Sequence, residues 1–154
     1  MHKHLIGGVL DYNYIINGIY IGNNQCCTVG IQEVLQKENI TTDISLEEVK
    51  LDQPFGVEVY VWIPTPDHTP PTPDQLSFGV SVIQKLVSQN KKIYIHCKNG
   101  HGRSSTLIGA YLIATGMTLD NAITLIKERR PSAHLQENQI KALKNFSQTQ
   151  KNER

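Results

Sequence analysis

Apolar residues along this chain recur with two different spacings, and the change of period separates predicted strands from predicted helices. From Val57 to Ile63 apolar and polar positions alternate strictly, which predicts a strand with Val57, Val59, Val61 and Ile63 on one face. Gly18-Ile-Tyr-Ile-Gly22 reads as a short strand closed by glycines, and residues 40–46 read as another. Lys91-Lys-Ile-Tyr-Ile-His-Cys97 has the continuous apolar run of a strand buried on both faces. Helical spacing takes over after Thr72-Pro-Asp-Gln75, a capping box with proline at the first helical position, and carries Leu76, Gly79, Val80, Ile83, Leu86 and Val87. Thr28 is read as the cap of a helix over about residues 30–38, with Ile31, Val34 and Leu35 inward. Further helices are predicted from Arg103 (Leu107, Ile108, Tyr111, Leu112), from Thr118 to about Arg129, where Pro131 stops it, and over 137–147 with Ile140, Leu143 and Phe146 inward. Between 64 and 71 four prolines, Pro64, Pro66, Pro70 and Pro71, forbid regular structure. Strands separated by helices predict one α/β domain, a central and mostly parallel sheet flanked by helices, over residues 18–147. Residues 1–17 are then an N-terminal segment and 148–154 a tail.

Bulk properties narrow the function classes. The chain has 154 residues, enough for one core and too few for two. Its net charge is +1, so no strong field draws it to nucleic acid or to an anionic bilayer, and recognition by charge must be local. The sequence shows no apolar run of bilayer-spanning length and no secretory leader, and stable membrane insertion is not expected. Three cysteines, of which Cys26 and Cys27 are adjacent, make no disulfide framework. A reducing, cytoplasmic setting is therefore the expectation, and it would also keep a reactive thiol usable. Scattered histidines, with His2 and His4 in the terminal segment, offer no recognisable metal site, and no cofactor is called for.

The chemistry lies in His96-Cys97-Lys98-Asn99-Gly100-His101-Gly102-Arg103-Ser104-Ser105, between the end of a buried strand and the start of a helix. Ligands of open α/β sheets bind at such ends. Residues 98–102 are long enough to curl around one tetrahedral anion and turn successive main-chain N–H groups toward it. Gly100 and Gly102 would supply the positive torsions and close approach of that curl. The helix N-terminus adds free N–H groups and positive potential, and the fork of Arg103 can hold two phosphate oxygens. The same surroundings favour a thiolate at Cys97, a nucleophile toward phosphorus. Ser104 can donate a hydrogen bond to that thiolate or cap the helix, and the two roles can coexist. His96 is expected to orient the loop through its ring nitrogens. Lys98 and His101 either add cations to the loop or are simply solvated. The departing oxygen needs a proton. Asp74 is explained by the helix start, whereas Asp67, in the proline-framed loop, can reach over the phosphate site and is assigned as general acid.

This loop resembles the signature loop of the protein tyrosine phosphatase superfamily, and the chain resembles an atypical dual-specificity phosphatase. The likeness extends to the early strand in Gly18–Gly22, to the acid loop running from Ile63 to Leu76 with Asp67 at the acid position, and to the helix from Arg103. It extends also to the late segment beginning Arg129-Arg130-Pro131; residues 23–55 match least. The resemblance implies a dual-specificity phosphatase-like fold and a cysteine-dependent phosphatase that passes through phosphocysteine. It implies Cys97 as nucleophile, Arg103 and the loop residues Lys98, Asn99, Gly100, His101 and Gly102 around the phosphate, and Asp67 as acid and then base. A late glutamine positions water in some relatives; for Gln139 a place on the helix surface is the expectation.

Phosphotyrosine, with phosphoserine and phosphothreonine, is the expected substrate class, since a short chain leaves little sequence for deep recognition loops. A phosphorylated lipid or inositol is the alternative with the same mechanism, ahead of an RNA 5′-triphosphate. A phosphate-binding module without turnover is disfavoured by the joint presence of Cys97, Arg103, Ser104 and Asp67.

Overall fold

The computed structural model describes residues 11–23, 28–51, 54, 56–99 and 101–153. Five strands, β1 (Tyr12–Ile16), β2 (Ile19–Gly22), β3 (Thr42–Ser45), β4 (Val59–Trp62) and β5 (Ile93–His96), form one sheet in the order β1-β2-β5-β3-β4. The β1–β2 pair is antiparallel, and β2–β5, β5–β3 and β3–β4 are parallel. Five helices accompany them: α1 (Thr28–Glu38), α2 (Pro73–Ser88), α3 (Arg103–Ala114), α4 (Leu119–Arg129) and α5 (Glu137–Asn152).

Alternation along the central strands separates two cores. Ile19, Ile21, Ile93 and Ile95 point to the face covered by α2–α5, while Tyr20 and Tyr94 point to the face covered by α1, against Ile31, Val34 and Leu35. β5 is buried throughout because both faces are covered. Every residue of α3 from Arg103 to Ile113 is buried, since α2, α4 and α5 all pack on it. At about 1.5–3 kcal/mol for each large side chain buried, α3 is a main source of stability and a rigid base for whatever its N-terminus holds.

Three expectations are corrected. The stretch read as an N-terminal segment contains β1, joined to β2 by Asn17-Gly18 in left-handed conformations (φ 54° and 80°), the two-residue turn whose twist suits a hairpin. The last helix runs to Asn152, through most of the stretch read as a tail. On the edge strand β4, Val59 is exposed and only Ile63, just beyond it, is buried, because a single neighbouring strand leaves the outer end uncovered. The capping boxes and stops fare as expected at α2, where Thr72 Oγ1 accepts from Gln75 N at 3.1 Å and Gln75 Oε1 accepts from Thr72 N at 3.0 Å. Thr118 Oγ1 likewise caps α4, accepting from Asn121 N at 3.1 Å. No helix among the described residues is long and apolar enough to cross a membrane.

Candidate active site

Cys97 directly follows β5 and is 3% exposed. Parallel strands place it beside the end of β3, and His96 O accepts from Leu46 N at 2.8 Å, so the chain leaving β3 is tied to the chain leaving β5. The imidazole of His96, expected from sequence to orient the loop, makes one contact to the neighbouring strand. Its Nε2 lies 2.8 Å from Asp43 Oδ1 on β3, both side chains being fully buried, because period-two alternation turns the ring onto the sheet face.

Arg103 opens α3 with its side chain turned inward. Nη1 donates to Thr65 O at 2.9 Å and to Leu46 O at 3.4 Å, and Nη2 donates to Glu47 Oε1 at 3.3 Å. Nη2 also lies 3.6 Å from Asp67 Oδ1. One planar fork thus gathers the ends of β3 and β4 and the general-acid candidate around the phosphate loop. Glu47, which was not singled out from sequence, is 4% exposed, and a carboxylate so buried requires a charged partner. Its place one residue past the buried Leu46, at the carboxyl end of a parallel strand, is the signal that could have found it.

Gly102 is the N-cap of α3 with φ −116°, an ordinary torsion, so the positive torsion expected there is absent. Glycine is needed for a different reason. A Cβ would stand 2.7 Å from Gln139 Oε1 and 2.8 Å from its Nε2. Gln139 is therefore not on the helix surface: it is 1% exposed, accepting from Gln136 N at 2.8 Å and donating to Thr69 O at 3.2 Å. With glycine in the cap position, Ser104 is not the N-cap. It lies within the first turn, fully buried, and its hydroxyl has no hydrogen bond among the described residues. An orphaned hydroxyl of this kind costs about 1–3 kcal/mol and calls for a functional reason.

Cys97, Asn99, His101, Gly102 and Arg103 line a cavity of about 110 Å³. Asp67 and His68 form its wall from the acid loop, and His134, Gln136 and Gln139 from the approach to α5. Asp74 stays in the first turn of α2, away from it. Lys98 is exposed and does not line the cavity. Gly100, His2, His4, Cys26 and Cys27 fall outside the described residues. Asn99 contributes through its main chain: Arg130 Nη2 donates to Asn99 O at 3.0 Å while Nη1 donates to Asn13 Oδ1 at 2.8 Å. A fully buried arginine thereby ties the loop to β1.

A model of the dual specificity phosphatase catalytic domain matches residues 19–149. The chain belongs to this family. Among curated relatives, the human phosphatidylglycerophosphatase and protein-tyrosine phosphatase 1 is 36% identical over 77 residues, covering 49% of this chain and 38% of the relative. Mouse laforin is 28% identical over 149 residues, covering 95% of this chain and 42% of laforin. The chain thus spans about two fifths of the length of these relatives. Among solved structures, that of PTPMT1 in complex with PI(5)P superposes with a TM-score of 0.82 at 25% identity, over 92% of this chain and 97% of that one. The family fold, a mixed sheet flanked by helices with the candidate loop between β5 and α3, is the one observed here.

Proposed function

We propose that this protein is a phosphatase that hydrolyses phosphate monoesters through a phosphocysteine on Cys97. The observation that carries the reading is a small cavity whose wall joins Cys97 and Arg103 from the loop between β5 and α3 with Asp67 from the loop after β4. Its volume of about 110 Å³ is well under the usual several hundred for a whole ligand, which suits a phosphate group with the rest of the substrate outside. In the first step Cys97 Sγ attacks phosphorus, the S–P bond forms, the ester P–O bond breaks, and Asp67 gives its proton to the leaving oxygen. In the second step Asp67, now a carboxylate, takes a proton from water as the water oxygen attacks phosphorus. The S–P bond breaks, and phosphate and the thiolate are released. Arg103 exchanges main-chain carbonyl partners for phosphate oxygens, and the free N–H groups of the loop and of α3 take up the remaining charge. Ser104 donates its otherwise unused hydroxyl to the thiolate. A reduced thiol is essential throughout, so the reading includes a reducing compartment such as the cytoplasm.

Phosphotyrosine, with phosphoserine and phosphothreonine, is the proposed substrate class. A phosphorylated lipid or inositol headgroup is the second reading, and one feature favours it: His101 and His134 line the cavity beside Arg103, where a second anionic group would meet them. The names of the relatives, which include a phosphatidylglycerophosphatase, point the same way. A panel of phosphopeptides and soluble phosphoinositides, compared by kcat/KM, separates the two readings.

The mechanism is tested by para-nitrophenyl phosphate turnover with and without orthovanadate. Cys97→Ser should reduce turnover by roughly 10⁴-fold or more, since a hydroxyl is barely ionised where a thiolate is favoured. Orthophosphate binding, measured by calorimetry, should persist. A serine variant with near wild-type turnover sinks the proposal.

A further inference from the structure

The acid loop meets the N-terminus of α5 through polar contacts that the reaction scheme leaves unexplained. Gln136 Nε2 donates to His68 Nδ1 at 2.6 Å, Asn138 Nδ2 donates to His68 O at 2.9 Å, and Gln139 Nε2 donates to Thr69 O at 3.2 Å. Three side chains from one helix start thus hold two consecutive residues of the loop. His68 itself is a non-glycine residue with φ 64°, a torsion that costs a bulky side chain energy and persists only where the surroundings impose it. The turn that this torsion produces aims His68 N at Asp67, whose Oδ1 accepts at 2.9 Å. The other imidazole nitrogen, Nε2, lies 3.6 Å from Asp67 Oδ2. Arg103 also faces Asp67, with Nη2 3.6 Å from Oδ1.

These contacts share a consequence. Asp67 has little packing of its own: its side chain is 56% exposed, and the prolines on either side fix torsions without fixing where the loop sits. Its place in the cavity wall shared with Cys97 is held by contacts to the next residue and to Arg103. With Gln136 donating to Nδ1, the neutral imidazole carries its proton on Nε2, the nitrogen turned toward Asp67.

We propose that His68 is a positioning residue that latches the general-acid loop to the start of α5, with Gln136 as its receiving partner, and so holds Asp67 at protonating distance from the leaving group. The proposal rests on the assignment of Asp67 as general acid. The latch acts through Asp67, on leaving-group protonation in the first step and on water activation in the second, and makes no contact of its own with the phosphate.

Phenyl phosphate, whose leaving group needs a proton, and para-nitrophenyl phosphate, whose leaving group hardly does, separate these effects. Because a reacting group displaced by about 1 Å can cost up to ~10²-fold, His68→Ala should lower kcat/KM on phenyl phosphate by roughly 10–10²-fold. On para-nitrophenyl phosphate kcat/KM, which reports formation of phosphocysteine and not its later hydrolysis, should fall much less, and inhibition by orthophosphate should stay as in wild type. His68→Asn, which accepts the left-handed backbone but lacks the ring, should behave like His68→Ala, showing that the contact and not the torsion is at issue. Gln136→Ala should show the same leaving-group ratio, and the double variant should be no worse than either single one. Gln136→Glu, able to accept a hydrogen bond from His68 Nδ1, should restore much of the ratio. Equal losses on both substrates, or an unchanged ratio in His68→Ala and Gln136→Ala, overturn the latch. Asp67→Asn, run in parallel, tells which idea has failed. If it shows the leaving-group dependence and the latch variants do not, the latch alone is wrong; if it shows none, the acid assignment falls and takes the latch with it.

Discussion

From Cys97 to Ser104 the phosphate loop is rooted in the core. Cys97, Arg103 and Ser104 are each under 5% exposed, with β5 beneath the loop and α3 behind it. Across the cavity the acid loop has another kind of support: the side chains of Asp67 and His68 are 56% and 73% exposed and are kept in place by hydrogen bonds to α5 and an ion-pair contact with Arg103. In the proposed reaction, burial fixes the half that would hold a dianion and a thiolate in register. Polar contacts, which break and re-form at little cost, fix the half that would deliver a proton and let product out. The difference implies that damage to the first half costs stability and catalysis together, whereas damage to the second costs catalysis almost alone.

Asp67→Asn should sharpen this contrast most. With a poor leaving group the loss of the general acid should reduce kcat by roughly 10²–10⁴-fold. Thermal stability should stay within about 0.5 kcal/mol of wild type, as for other exposed substitutions. Asp74→Asn should instead weaken the start of α2 slightly and leave the leaving-group dependence unchanged. Were the Asp74 variant to show the loss confined to poor leaving groups and the Asp67 variant to show none, the roles would be reversed.

Arg130→Met probes the rooted half from behind. The change removes the arginine's hydrogen bonds to the part-buried Asn99 O and Asn13 Oδ1 and its ion pair with Asp11, which should cost about 1–3 kcal/mol. Because Asn99 belongs to the phosphate loop, phosphate affinity should fall as well, and phenyl and para-nitrophenyl phosphate should suffer alike. That parallel loss is the opposite of the Asp67 pattern. A variant that is destabilised but binds orthophosphate normally would show that Arg130 anchors only the hairpin.

The rooted half was largely legible in the sequence because it is made of local pattern. A buried strand, five residues with glycines, an arginine and a helix are contiguous, and it is their combination, more than the spacing of cysteine and arginine, that points to an anion site. The acid loop was legible only at Asp67, framed by prolines. Its support comes from Gln136, Asn138 and Gln139, some seventy positions away, and no periodicity connects them to His68. Glu47 was hidden for the same reason, since its partner Arg103 lies 56 positions further on. The hairpin was legible and missed: Asn17-Gly18 between Tyr12–Ile16 and Ile19–Gly22 is the strongest short turn signal a chain can carry. Gln139 was misplaced because a polar residue in an amphipathic helix reads as solvent-facing, whereas here a glycine on the neighbouring helix start makes room to bury its amide. Ile140, expected inward, is 36% exposed as a result.

The smallest expected effect lies on the far face of the sheet, which serves as a control for both halves of the pocket. There Tyr12 and Tyr20 donate to the two oxygens of Glu38, at 2.8 and 3.2 Å. Desolvation, then the hydrogen bond and charge of Glu38, push the Tyr12 phenol up from its ordinary value of 10 to about 12. Tyr20 is raised in the same direction by burial and by Glu38. An acid whose value is higher in the folded chain holds its proton more tightly there, so the contribution to stability is complete below pH 10. It is lost progressively as the pH rises from 10 to about 12, where the unfolded chain ionises first. Denaturant midpoints measured through this window should fall with pH, and Tyr12→Phe should make the fall shallower. At neutral pH the same variant should keep its kcat on both aryl phosphates, since neither Tyr12 nor Glu38 lines the cavity. An unchanged alkaline slope in Tyr12→Phe would remove the phenol–carboxylate pair as its source. A loss of activity at neutral pH would show that the tyrosine face and the phosphate loop, joined through β5, are not independent after all.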